Sequence, residues 1–227
     1  IPEYELVVPS TQEKIKYRPF LVKEEKVLLL AMESEDDRQI NDALVNTVSE
    51  CTFGSVDGRS APVFDMEYVF LQVRSKSVGE SVELNITCPD DGKTKVPVKV
   101  DLSEVAVQMS VDHKTEIELT DDIKLVMGYP TLYSSQKVDG DSDTETVFKL
   151  MQGCISEIHF GDDVYRKVDI SKKELDEFFG SLTSEMLAKV QEFFETMPKL
   201  RHIIDVKNPK TKKKNEVMLE GLGDFFT

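Results

Sequence analysis

The sequence predicts an α+β fold in which helices and antiparallel β-hairpins are segregated along the chain, with no βαβ alternation and no parallel sheet. Two observations carry this. Some stretches place apolar residues at helical spacing, the clearest being Ile40, Leu44, Val45, Val48 and Cys51. Others alternate with period two on either side of a turn signal, as Val82, Leu84, Ile86 and Cys88 do before Pro89-Asp90-Asp91-Gly92-Lys93. The two patterns come in blocks, which predicts five or six helices and three or four hairpins.

The chain opens on a hairpin over 3–18, with Tyr4, Leu6 and Val8 alternating, a Pro9-Ser10-Thr11 turn, and a return through Ile15 to Tyr17. Pro19 disfavours helical geometry at Arg18, so a helix starts after the Tyr17-Arg18-Pro19-Phe20 elbow. Val22, Val27, Leu29, Leu30 and Met32 share its broad apolar face, and the run from Val27 to Met32 has the length of a helix core segment. Glu24 and Glu25 suit the positive end of its dipole. Ser34 to Asp37 caps a second helix over 37–52, and Ala61 to Lys76 reads as a third, ended by Val78-Gly79-Glu80. Two hairpins follow. The first returns through Val96, Val98, Val100 and Leu102. The second pairs Ile117 and Leu119 with Ile123, Leu125 and Met127 across Asp121-Asp122. Ser134 to Asp143 is polar and reads as a loop.

The last third reads as mostly helical. Val147, Leu150, Met151, Cys154, Ile155 and Ile158 keep helical spacing, so Asp143 to Ile158 is expected as one helix. Ser171-Lys-Lys-Glu174 is a capping box opening a helix from Lys172 to Phe179. Ser184 to Met197 is another helix, stopped by Pro198. A terminal hairpin runs from Leu200 to Val206 and from Glu216 to Leu219, around a lysine-rich turn opened by Asn208-Pro209. The expected division of the chain is 1–135 and 136–227. The turns opened by Cys88-Pro89 and Asn208-Pro209 echo each other faintly.

The chain's 227 residues are 40% hydrophobic and 31% charged, the composition of a folded globular protein. Its 43 acidic and 28 basic residues leave a formal charge of −15. That excess opposes non-specific binding to nucleic acid or anionic lipid. No apolar run approaches the roughly 18 residues of a membrane span. Ile1-Pro2-Glu3 lacks a basic-then-apolar start, so no signal peptide is expected. Cys51, Cys88 and Cys154 are odd in number and far apart, which points to a reducing compartment and no disulfide framework.

No constellation of residues points to a reaction, so neither catalytic residues nor a cofactor are expected. Cys88-Pro-Asp-Asp-Gly92 has the shape of a zinc-ribbon knuckle but one cysteine of the required two, so no metal is expected. Cys154 and His159 form a nucleophile pair only if the fold brings them together. Asp139-Gly140-Asp141-Ser142-Asp143-Thr144-Glu145 comes nearest to a calcium loop, with its glycine misplaced. The paired aspartates sit in turns and helix starts, where they cap. Lys210, Lys212, Lys213 and Lys214 form a basic cluster without interleaved aromatics, which suits an acidic protein patch better than bases. Tyr17, Arg18, Phe20, Leu222, Phe225 and Phe226 are the candidate partner-contact residues, since aromatics flanked by charge make good interface anchors. The same aromatics can equally pack onto the protein's own core. Replacing Phe225 and Phe226 by alanine is expected to leave the fold nearly intact while abolishing assembly.

Four blocks carry a family resemblance: Pro9-Ser10 with Tyr17 to Lys26; Phe70 to Gly79; Thr87 to Lys93; and Phe193 to Leu200 with Leu219 to Phe226. Together they resemble the baseplate hub subunits of T-even-type bacteriophages over nearly the whole chain. The resemblance implies a non-enzymatic structural or assembly subunit of a contractile tail's baseplate hub. It would be expressed late, act in the host cytoplasm and contact other hub and tail proteins. It also implies relatives with cysteine pairs in two hairpins, of which this chain keeps only Cys88. The alternatives are a transient chaperone of a hub or tape-measure protein and, further off, a degenerate zinc-ribbon adaptor for nucleic acid.

Overall fold

The computed structural model describes residues 1–134, 136 and 140–226. Part of the loop expected over 134–143, including Asp139 of the calcium-like motif, lies outside the described residues. Among those described, the chain runs β1 (Tyr4–Val7), β2 (Lys14–Tyr17), α1 (Val22–Glu33), α2 (Asp37–Cys51) and α3 (Val63–Val78). It continues through β3 (Ser81–Thr87), β4 (Lys95–Asp101), β5 (Ala106–Gln108), β6 (Glu116–Glu118), β7 (Ile123–Met127) and α4 (Asp143–Gly153). Then come β8 (Ile155–Phe160), β9 (Asp163–Arg166), α5 (Lys172–Gly180), α6 (Ser184–Thr196), β10 (Lys199–Lys207) and β11 (Lys214–Glu220). All sheets are antiparallel, so the α+β reading stands.

The chain forms two compact units, 1–108 with 198–227, and 109–197. The sequence-expected cut at 135/136 falls inside the second of these. The reason is a strand that no hairpin signal announces: β5 pairs with β10, Leu200 opposite Val107, and so returns the C-terminal hairpin to the first unit.

In the first unit, β11, β10 and β5 make a three-stranded sheet, while β1–β2 and β3–β4 are separate hairpins. Inward residues of the three-stranded sheet and of the β3–β4 hairpin meet α3 in one core, which includes Leu71, Leu84, Ile86, Val100, Leu102, Leu200, Val206, Leu219 and Phe225. α3 is buried around much of its circumference, with Phe64, Met66, Val69, Leu71 and Val73 all inaccessible. A helix with buried residues on most of its sides belongs at the centre of its unit. Its Asp65 carboxylate is buried and accepts from the Ser10 amide at 2.9 Å, which ties the first hairpin's turn to the helix.

In the second unit, β6-β7-β8-β9 form a meander that shares a core with α4, α5 and α6. Ser142 with Glu145, and Ser171 with Glu174, close capping boxes at the starts of α4 and α5. The single helix expected over Asp143 to Ile158 is instead a helix followed by a strand. A register shift between Val126 and Met127 explains the misreading. The irregularity pairs Glu157 with Val126 but Ile155 with Met127, so Ile155 and Ile158 both point inward three positions apart. That spacing imitates a helix inside a strand.

Candidate functional site

The first candidate feature is the elbow between β2 and α1. Arg18 N donates to Cys51 O at 2.9 Å, and Phe20 N donates to Ser77 Oγ at 2.9 Å. The elbow is thereby pinned to the last turns of α2 and α3. Arg18 and Glu24 form a buried ion pair, Nη2 to Oε1 at 3.0 Å, and Glu24 Oε2 accepts from the Leu21 amide at 2.7 Å. Burial alone would push the Glu24 carboxyl upward, but hydrogen bonds from Arg18 and Leu21 outweigh it and hold it below the usual range. One carboxylate thus caps α1 and neutralises the arginine that anchors the elbow.

That arrangement inverts α1. Glu24 and Ala31 are its buried residues, while Val22 (78% exposed), Leu29 and Leu30 (55% each) and Met32 (59%) face outward. The apolar face that sequence pattern would assign to the core is therefore on the surface. Of the elbow candidates, Tyr17 and Arg18 are buried and Phe20 is half-buried. Tyr17 packs its ring 5.6 Å from that of Tyr4. The buried Tyr17 and Arg18 set the attitude of α1.

The second feature joins two hairpin tips. In the β3–β4 turn, Cys88 N donates to Thr94 O at 2.8 Å and Gly92 N to Cys88 O at 2.9 Å. The β10–β11 turn closes in the same way one residue shorter, Asn208 N to Lys213 O and Lys212 N to Asn208 O, both at 2.9 Å. The β1–β2 turn does so again, through Val8, Gln12 and Glu13. Each opens on a residue followed by proline, and each takes a left-handed residue at the same place: Gln12, Gly92 and Lys212. The echo between the two later turns is a shared backbone geometry. The first turn's likeness to the other two is hidden in the sequence, because Gln12, at the left-handed position, is not a turn-former by type.

Asn208 stands where Cys88 stands in the other turn, fully buried. Its Nδ2 donates to Asp90 Oδ1 and Asp91 Oδ2, both at 3.0 Å, and its Oδ1 accepts from Lys210 N at 2.9 Å. Asp90 N donates to Asn215 Oδ1 at 3.1 Å, and Thr211 Oγ1 donates to Asp90 Oδ2 at 2.5 Å. The hydrogen bond from Asn208 is the chief cause holding Asp90 below the usual carboxylate range; Thr94 plays that role for Asp91. The two tips are therefore clasped by side-chain hydrogen bonds. Where the resemblance implies cysteine pairs, this chain has one thiol, Cys88, and an amide. No three of Cys, His, Asp and Glu are grouped as a metal site among the described residues.

The clasp holds the lysine tip in place. Lys207, Lys210, Lys212, Lys213 and Lys214 are all exposed, and none forms an ion pair among the described residues. On a chain of charge −15 this is a local concentration of the minority sign.

At the C-terminus, Gly221 turns with a φ of 74° and Glu67 accepts from the Leu222 amide. Phe225 is fully buried in the first unit's core, and Leu222 packs half-buried against it. The ring of Phe225 is thus a core group, the second of the two placements the sequence leaves open for these aromatics. A short 3-10 turn over Leu222–Phe225 folds it back under β11. Phe226 is 40% exposed, edge-on to Phe70 at 6.4 Å and beneath the Arg74 guanidinium at 5.7 Å.

The groups weighed for chemistry are otherwise engaged. Cys51, Cys88 and Cys154 are buried free thiols, and burial pushes Cys51 and Cys154 up to about 11. His159 bonds to Glu157 at 2.9 Å, while Cys154 sits in the second core. His113 lies between Thr196 Oγ1 at 2.9 Å and Tyr129 OH at 2.8 Å, with burial lowering its pKa. Asp141 pairs with Lys149 at 2.6 Å, and Glu145 serves the cap of α4. No helix among the described residues is long and apolar enough to cross a membrane.

Among known proteins, the chain matches the family model described as T4 bacteriophage base plate protein over residues 1–227. No curated protein and no solved structure matches.

Proposed function

Because the chain belongs to the T4 bacteriophage base plate protein family, we propose that it is a structural subunit of the baseplate hub of a contractile tail, working through protein contacts without catalysis. The family match over the whole length carries this reading. The placement of its reactive groups supports the absence of catalysis, since the thiols are buried and protonated at neutral pH. The lysine tip and the exposed edge of Phe226 are the proposed docking points for acidic and apolar patches of neighbouring hub and tail proteins. Synthesis late in infection and assembly in the host cytoplasm belong to the same proposal.

Affinity capture of the tagged protein from infected cells tests it. Recovery of hub and tail proteins is expected, weakened by changing Lys210, Lys212, Lys213 and Lys214 to glutamate. Recovery of no baseplate component would overturn the hub assignment. Mass spectrometry of purified virions separates a resident subunit, present at fixed copy number, from a chaperone that leaves before completion.

A further inference from the structure

α1 offers a face with a definite symmetry. Val22, Lys26, Leu29, Leu30 and Glu33 lie on one side of the helix by its 3.6-residue period, opposite the buried Glu24 and Ala31. All five are exposed. Leu29 and Leu30 form the apolar centre. Lys26 lies as far before the midpoint of these two leucines as Glu33 lies after it. Neither Lys26 nor Glu33 forms an ion pair among the described residues.

We infer that a second copy of this chain covers this face, with the two α1 helices packed antiparallel about a two-fold axis at Leu29 and Leu30. In that arrangement Lys26 of each copy stands level with Glu33 of the other, so one symmetric contact forms both ion pairs. Parallel packing would instead set Lys26 against Lys26 and Glu33 against Glu33. An isologous contact requires a self-complementary patch, and the order of charges along this helix supplies it. The elbow makes the patch ready for docking, because the Arg18–Glu24 pair and the contacts to α2 and α3 fix the helix before any partner arrives.

Twelve residues span about 18 Å, so the contact is smaller than the roughly 800 Å² per partner of a standard stable interface. The dimer is accordingly weak and concentration-dependent, with a dissociation constant on the order of 10 μM. This inference concerns the purified protein alone and does not depend on the hub assignment.

Sedimentation equilibrium of the purified chain between about 1 and 200 μM tests it. Lys26→Glu and Glu33→Lys should each weaken dimerisation about tenfold or more, since each replaces two attractions by two repulsions. Mixing these two variants should restore association, because both ion pairs then form, one with its native signs and one with them reversed. The double variant should also dimerise. Leu29→Lys should remain monomeric, with an unchanged circular dichroism spectrum and melting temperature. A wild-type chain that stays monomeric to 200 μM would overturn the inference and give the face to a different protein. Single variants that dimerise like wild type, or a mixture that stays monomeric, would overturn it as well.

Discussion

Phe225 and Phe226 are neighbours in sequence with opposite roles in the structure, and cutting each back to alanine separates them. The Phe225 side chain is wholly inside the first unit's core, among Leu71, Leu102, Leu200 and Leu219. A fully buried aromatic removes on the order of 200 Å² from water, about 5 kcal/mol at ~25 cal/mol per Å². Measured truncations of buried phenylalanine fall at about 3–5 kcal/mol once partial collapse of the cavity is allowed for. Against the roughly 5–15 kcal/mol that holds a typical protein folded, that is a large share. With a urea slope of about 2 kcal/mol per M, Phe225→Ala should lower the midpoint by roughly 2 M. Phe226→Ala gives up a partly solvated ring with one edge-on aromatic and one cationic neighbour, worth about 1–2 kcal/mol together. Urea titration followed by circular dichroism compares the two. If the two units unfold in separate transitions, only that of the first should move. A Phe225→Ala midpoint no lower than that of Phe226→Ala would refute the burial argument. The corollary is that assembly defects of the double alanine variant report on folding, and Phe226 must be tested alone.

Three further outcomes follow from the same geometry. Glu24→Gln leaves Arg18 buried without its counter-charge and should lose about 3 kcal/mol at pH 7, the low end for breaking a buried pair. Because the folded Glu24 carboxyl lies below its unfolded value of about 4.3, its contribution is complete above that pH and disappears as pH falls through the folded value. Thermal melts of wild type and variant should therefore converge on acidification. Asn208→Ala should cost about 2–4 kcal/mol, since it removes two hydrogen bonds to carboxylates from a buried site; Asn208→Asp should be worse at pH 7 and recover as pH falls, also read by melting. Cys51 and Cys154, held protonated by burial, should resist thiol reagents at pH 8 until urea unfolds the chain; rapid labelling of the native protein would contradict their placement.

Much of the architecture was legible because its signals are local. The second helix begins where Asp36 accepts from the Arg38 and Gln39 amides, as its sequence announces. Ser171 and Glu174 close the capping box their spacing requires, and the 82–102 and 117–127 hairpins follow their alternation. The misreadings have physical causes of their own. β8 passed for helix because a bulge turned two buried isoleucines to a three-residue spacing. β5 passed unnoticed because three residues are too few to show a period, and its partner lies about ninety positions away.

Periodicity and turn chemistry were enough to define the kinds of elements in this protein, their order and most of their ends, since these depend on neighbours within a few residues. Whole-chain family likeness was legible too. Which side of an apolar element meets the core was not, because that depends on what other segments bring to it. Glu24 lies buried because Arg18 arrives from the preceding turn to pair with it, and Val22, Leu29 and Leu30 are left outside as a consequence. Phe225 lies buried because β10 and β11 return to α3, while Phe226, one residue on, does not. Burial is a property of the packed whole, so tertiary structure alone separated the exposed apolar groups of this protein from its core.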